Sequence, residues 1–203
     1  MRYLTRLLAA ALIITGCSTT KEPHFGGEAP TTATEAAKTA PPPAVTLDWG
    51  KPGDGKGEQG QPLQVTPLGV YYHKGHATLG RPENGVFTAI AVKVAATTGA
   101  DHVPPPASNF GFSLASDDGE TVTTAAGATP PWVGRVNVPN AERNIQPGRF
   151  QNYVITFDAY ARGGTLTYTS PDGQLLEWQV PSKPGGQGLR RVQAALDSLG
   201  VSR

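Results

Sequence analysis

Between residues 62 and 181, apolar and polar positions alternate with a period of two, the mark of strands with one buried face. In "LQVTPLGVYY", Leu63 and Val65 share a side, and Pro67, with no N–H to donate, predicts an edge or a bulge. "GVFTAIAVKVAATTG" is the clearest strand: Val86, Ile90, Val92 and Val94 fall on one face, and Phe87, Lys93 and Thr97 on the other. "NFGFSLAS" aligns Phe110, Phe112 and Leu114. Asp118-Gly119 follows, a pair suited to the positive φ angles of a tight hairpin, and "ETVTTA" reads as the returning strand. "PWVGRVNVP" predicts a strand through Trp132 or Val133, then Val136 and Val138. "RFQNYVITFDAY" aligns Tyr153, Ile155, Phe157 and Ala159, and "TLTYT" pairs Leu166 with Tyr168. Ser170-Pro171-Asp172-Gly173 has the Pro-early, Gly-late order of a β-turn. "QLLEWQV" then points Leu176, Trp178 and Val180 inward.

About eight short strands with turns between them and no helical period predict an all-β domain. Two antiparallel sheets packed face to face, a β-sandwich, are the natural arrangement, with a barrel as the alternative. Its core is expected to lean on Phe110, Phe112, Phe157, Trp178 and the Val/Ile face of the second strand. Beyond it, residues 182–203 read as a flexible linker, "PSKPGGQG", and a short amphipathic helix. Leu189, Val192, Leu196 and Leu199 recur at helical spacing, and Gly200 can end the helix. About a dozen residues are marginal as an isolated helix, so the segment is expected to fold back onto the sandwich. Docking of a partner is its other use.

The start of the chain has a different texture. Residues 1–16 read as an export signal: Arg2 and Arg6, then an apolar run over residues 7–14, then Thr15 and Gly16. The run is far short of the roughly 20 residues that span a bilayer. Ile14-Thr15-Gly16-Cys17 resembles the lipobox of bacterial lipoproteins. That resemblance implies cleavage before Cys17 and a diacylglycerol on its thiol. It also accounts for a single cysteine in an exported chain, since a thioether is no longer a stray thiol in oxidising surroundings. Two or more acyl chains, at about 0.8 kcal/mol per buried methylene, make a stable anchor. Residues 17–61 are rich in Thr, Ala, Pro and Gly and read as a disordered tether. Within it, "VTLDWG" alternates Val45, Leu47 and Trp49 with polar partners and is expected to dock on the domain edge.

Composition narrows the function classes. Gly (25) and Pro (19) together exceed a fifth of the 203 residues, which fits many turns and a loose segment. The net charge is +1, and the basic residues are scattered. No electrostatic field exists to attract nucleic acid.

Recognisable catalytic motifs are absent from the sequence. His73 and His76, three apart in "YYHKGH", could begin a metal site, though such a site needs three or four ligands. Asp117, Asp118 and Asp172 read as turn residues, and Asp158 as either a solvent-facing group or a loop holder. Tyr71, Tyr72 and Tyr160 are candidates for an aromatic binding patch or for core filling.

"ENGVFTAIAVKVAATTG", "SNFGFSLASDDGE", "NIQPGRFQNYVITFDA" and "DGQLLEWQVP" resemble the immunoglobulin-like domain of small exported actinobacterial proteins. Among these are the mycobacterial secreted immunogenic antigen family and lipoproteins grouped by a domain of unknown function. The resemblance spans about residues 62–181 and implies an immunoglobulin-like antiparallel β-sandwich, an extracellular setting and no established catalytic residues. The lipobox, tether and C-terminal extension depart from it. The expectation is therefore a lipoprotein anchored to the cell membrane through acyl chains on Cys17 and facing the extracellular or cell-wall side. Its sandwich would bind an envelope protein or glycan, with no enzymatic role and no cofactor. The alternative is a small-ligand or metal-binding envelope protein using the His73/His76 loop.

Overall fold

The computed structural model describes residues 43–77, 80–105, 109–133 and 144–200. Cys17, the signal segment, the first part of the tether, Val136 and Val138 lie outside them. The elements run β1 (Val45–Leu47), β2 (Gly53–Lys56), β3 (Pro62–His73), β4 (Val86–Ala96), β5 (Gly111–Ala115), β6 (Thr121–Thr123), β7 (Phe150–Ala159), β8 (Thr165–Thr169), β9 (Leu175–Gln179), β10 (Gly185–Gly186) and α1 (Arg190–Ser198). One sheet has the order β1-β9-β8-β5-β6; the other has β10-β3-β4-β7, with β2 also paired to β3. All pairings are antiparallel except β1 with β9. The fold is a β-sandwich of two sheets with a short C-terminal helix. No helix among the described residues is long and apolar enough to cross a membrane.

The period-two pattern works as read. Val86, Ile90, Val92 and Val94 of β4 meet Tyr153, Ile155, Phe157 and Ala159 of β7 and Leu166, Tyr168, Leu176 and Trp178 of the opposite sheet in one core. Phe112 tilts against Tyr168 at a ring distance of 5.0 Å. The expected irregularity at Pro67 is a register shift between Pro67 and Gly69. Asp118-Gly119 joins β5 to β6, and Ser170 to Gly173 closes a turn, with the Gly173 N–H on the Ser170 carbonyl at 2.9 Å.

A second, smaller core lies on the outer face of the β3–β4–β7 sheet. Phe87, Ala89 and Val154 are covered there by Trp132 and by Val192, Ala195 and Leu196 of α1. The alanines of β4 keep this surface low, so the helix can lie against it. The helix therefore folds back, as its spacing predicted.

Four expectations need correction. The disordered tether does not extend to residue 61: β1 and β2 are part of the sandwich. The Gly-rich stretch "GDGK" is a strand rather than a loose segment, and its glycines are its buried positions. A Cβ on Gly53 would meet Leu47 Cδ1 at 2.6 Å and Trp178 Cζ2 at 3.0 Å; one on Gly55 would meet Ser170 Oγ at 2.8 Å. β2 pairs with β3 yet presses on the other sheet, and only glycine leaves room for that. The seam is stitched by Tyr168 Oη donating to the Lys56 carbonyl (2.8 Å), the Lys56 N–H donating to Ser170 Oγ (3.0 Å) and Trp178 Nε1 donating to the Lys51 carbonyl (2.9 Å).

The linker at residues 182–189 is likewise not loose throughout, because Gly185 and Gly186 pair with Val70 and Gly69. Phe110 is exposed rather than in the core. Asn109 (φ 60°) and Gly111 (φ 83°) both adopt left-handed conformations, so the chain turns around Phe110 and alternation starts only at Gly111. Trp132 and Val133 form a turn instead of a strand, with Trp132 fully buried as a plug in the second core.

Candidate functional site

The sandwich has one side where both sheets end, at β6 and at β7. Residues 124–133 leave β6 and cross this side toward the outer face of β7, where Trp132 is anchored. Between them is a partly enclosed cavity of about 280 Å³. Its walls include Val103 and Pro104 after β4, Phe112 of β5, Pro130 and Val133 of the crossing segment, and Ile155 and Thr156 of β7. The described lining residues carry no charge. Thr156 is almost fully buried, and its Oγ1 has no hydrogen-bond partner among the described residues. Thr88 Oγ1 and Trp132 Nε1 are likewise buried with no hydrogen-bond partner among the described residues.

The crossing segment is held by Asp158. This carboxylate is 1% exposed. It accepts the N–H of Glu83 at 2.8 Å, of Asn84 at 3.1 Å and of Ala128 at 2.7 Å, while Asn84 Nδ2 donates to the Asp158 carbonyl at 2.9 Å. Of the two roles read for Asp158, loop holder is the one the structure shows. Ala128 also borders the cavity, so Asp158 fixes part of its wall.

His73 and His76 do not form a cage. His73 Nδ1 accepts the Gly75 N–H at 2.9 Å, and its ring meets Trp132 edge-on at 5.2 Å. Burial, with a smaller contribution from the positive character of His76, holds the His73 pKa below the usual histidine value. His76 bridges to Gly80. Among the described residues no group of three or more His, Cys, Asp or Glu is placed to hold a metal ion.

The three tyrosines do not meet as a patch. Tyr72 is buried, donating to the Pro181 carbonyl at 2.6 Å and accepting the Gly163 N–H at 3.0 Å, and burial raises its pKa. Tyr71 packs on the second core, and Tyr160 is exposed. Asp118 and Asp172 serve turns, as read: Asp118 takes the Ser116 hydroxyl, and Asp172 pairs with Lys56 at 2.9 Å.

One cluster had no signal in the sequence reading. Asp101, fully buried, accepts the N–H groups of Gln59 (3.0 Å), Gln61 (2.8 Å) and His102 (2.7 Å). His102 Nε2 lies 2.6 Å from Glu58 Oε2, and Nδ1 lies 2.7 Å from Asn144 Oδ1. The cluster ties residues 58–61, 101–102 and 144 together, segments far apart in the chain. Chemically it resembles Asp158: a buried carboxylate consumed by backbone donors. Neither aspartate is on the described wall of the cavity.

No family model and no curated protein matches the chain. Among solved structures the chain is similar to the 1.5 Å crystal structure of MPT63, a secreted protein from Mycobacterium tuberculosis. The two are 21% identical with a TM-score of 0.45, over 67% of this chain and 97% of that one.

Proposed function

We propose that this chain is a lipoprotein, anchored to the cell membrane by acyl chains on Cys17, whose immunoglobulin-like sandwich acts as a binding module on the outer side. The lipobox-like sequence supports the anchor. The observation that carries the binding role is the cavity at the open side of the sandwich, whose described lining is uncharged and mostly apolar and whose wall is fixed in part by Asp158. Small-molecule sites are concave, largely apolar and furnished with few polar groups, and this cavity has that character. The His73/His76 alternative has no comparable support, because His73 is already engaged by Gly75 and Trp132.

Two measurements test the reading. Cell fractionation of Cys17→Ala should move the protein from membranes to the soluble exported fraction; retention in the membrane refutes the anchor. Native mass spectrometry of protein taken directly from envelopes should show an adduct that is released on unfolding and reduced in Ile155→Trp, which fills the cavity. A clean apo mass at every gentle condition refutes the binding role.

A further inference from the structure

We infer that Asn84 is a site of covalent modification, a slow deamidation in which the Gly85 nitrogen is the nucleophile and the hydrogen bonds to Asp158 set the rate. The modification is independent of the binding role and can fail without it. Two separate demands of the fold put this pair side by side. Residue 84 serves Asp158 twice: Asn84 Nδ2 donates to the Asp158 carbonyl at 2.9 Å, and the Asn84 N–H donates to Asp158 Oδ1 at 3.1 Å. Residue 85 has to be glycine, because a Cβ there would lie 2.6 Å from the Tyr160 carbonyl oxygen and 3.3 Å from that of Ala159. Both oxygens are backbone atoms at the end of β7, so neither swings aside. The loop thus joins a carboxamide to a residue with no side chain to shield its amide nitrogen.

In the reaction the Gly85 nitrogen bonds to Asn84 Cγ, the Cγ–Nδ2 bond breaks, and the Gly85 amide proton departs with Nδ2 as ammonia. Water then opens the cyclic imide at either carbonyl carbon and leaves aspartate or isoaspartate at residue 84. Gly85 is exposed and Asn84 half-buried, so solvent reaches the pair. Turning the carboxamide onto the Gly85 nitrogen breaks the bond to the Asp158 carbonyl and moves the peptide unit that bonds Oδ1, so the native loop resists the step. The product reverses the contact. A carboxylate at residue 84 has no N–H for the Asp158 carbonyl, and it sets a negative charge near the Asp158 carboxylate. The isoaspartate form also routes the main chain through an extra carbon. The same Asp158 carboxylate accepts the Ala128 N–H at 2.7 Å, so modification loosens the crossing segment.

The full exported chain is held at mildly alkaline pH, folded or in urea, and mapped by peptide mass spectrometry, with isoaspartyl methyl transfer as second readout. Conversion at Asn84 is expected in urea and about fiftyfold more slowly in the folded chain, because two hydrogen bonds open and each is worth about a factor of five to ten. Asp158→Ala should raise the folded-state rate about five- to tenfold. Asp158→Asn, which keeps one acceptor oxygen, should fall between, which separates local release from unfolding of the alanine variant. Asn84→Asp, the product made directly, should speed exchange of the Ala128 amide while the core amides of β4 and β7 stay protected. No conversion of Asn84 in urea overturns the site. Equal rates in the folded and unfolded chain, or wild-type rates in both Asp158 variants, overturn the control by Asp158. Unchanged exchange at Ala128 in Asn84→Asp overturns the effect on the crossing segment.

Discussion

Replacing Asp158 by alanine is the most searching perturbation of the structure. The substitution removes an acceptor from three backbone N–H groups, those of Glu83, Asn84 and Ala128, at 2.8, 3.1 and 2.7 Å. A buried donor left unmet costs about 1–3 kcal/mol. These three are only part-buried, so water relieves some of the loss, and the low end gives a total of about 3 kcal/mol. Against a typical domain stability of about 5–15 kcal/mol, that is a large share. With a urea m-value of about 2 kcal/mol/M, the unfolding midpoint should fall by about 1.5 M. Asp158→Asn keeps one acceptor oxygen and should lose about half as much. Hydrogen exchange at the Glu83, Asn84 and Ala128 amides should accelerate in both variants, well before the core strands exchange. A loss under about 1 kcal/mol for the alanine variant, with exchange unchanged at those three amides, would refute the claim that this carboxylate staples the crossing segment to β7.

Three further outcomes are expected. Leu196→Ala should cost about 2–3 kcal/mol and red-shift the emission of Trp132, because α1 covers the second core; an unchanged urea midpoint would mean the helix contributes nothing to the folded domain. Gly55→Val should destabilise by about 1–3 kcal/mol through overpacking against Tyr168 and Ser170, and a wild-type midpoint would refute the glycine seam. Burial holds the His73 pKa below the usual histidine value of 6.5, so its contribution is present above pH 6.5 and is lost as pH falls below it, where the unfolded chain binds the proton more readily. The melting temperature should therefore drop between pH 7.5 and 5. His73→Phe, which keeps a ring on Trp132, should flatten that drop, and an identical pH profile would sink the argument.

The strands that face two environments were legible in the sequence. β8 and β9 carry large apolar residues at every second position, and burial follows that period; in β4 and β7 the alternation marks the inner face, while burial is nearly continuous because the second core covers Phe87, Ala89 and Val154 on the other. β2 and β10 were not legible, because their buried or paired positions are glycines, which carry no hydropathy signal and ordinarily mark turns. Phe110 shows the opposite failure: the alternation is present, but two positive φ angles beside it turn the backbone before the strand begins. The helix was readable from Val192, Leu196 and Leu199; the face it covers was not, since Ala89 and Ala91 look unremarkable in a strand. The cavity could not be read at all. Its walls come from four separated segments, which only three-dimensional packing brings together. Asp101 was missed for a related reason: its partners are backbone N–H groups, which every residue but proline has.

The parallel pairing of β1 with β9 sets how the domain would bear a pull. Val45, Thr46 and Leu47 lie beside Leu176, Glu177 and Trp178 in the same direction. Tension applied ahead of residue 43 and resisted at the C-terminal end of β9 runs along both strands in shear. The hydrogen bonds of that ladder then share the load and must rupture together, where an antiparallel edge pulled the same way would peel one bond at a time. Behind them, Trp178 and Lys51 form a further catch. Pulled in this direction, the sandwich meets the load at a shear-resistant clasp, and shortening that clasp should lower unfolding force in single-molecule stretching far more than it lowers equilibrium stability.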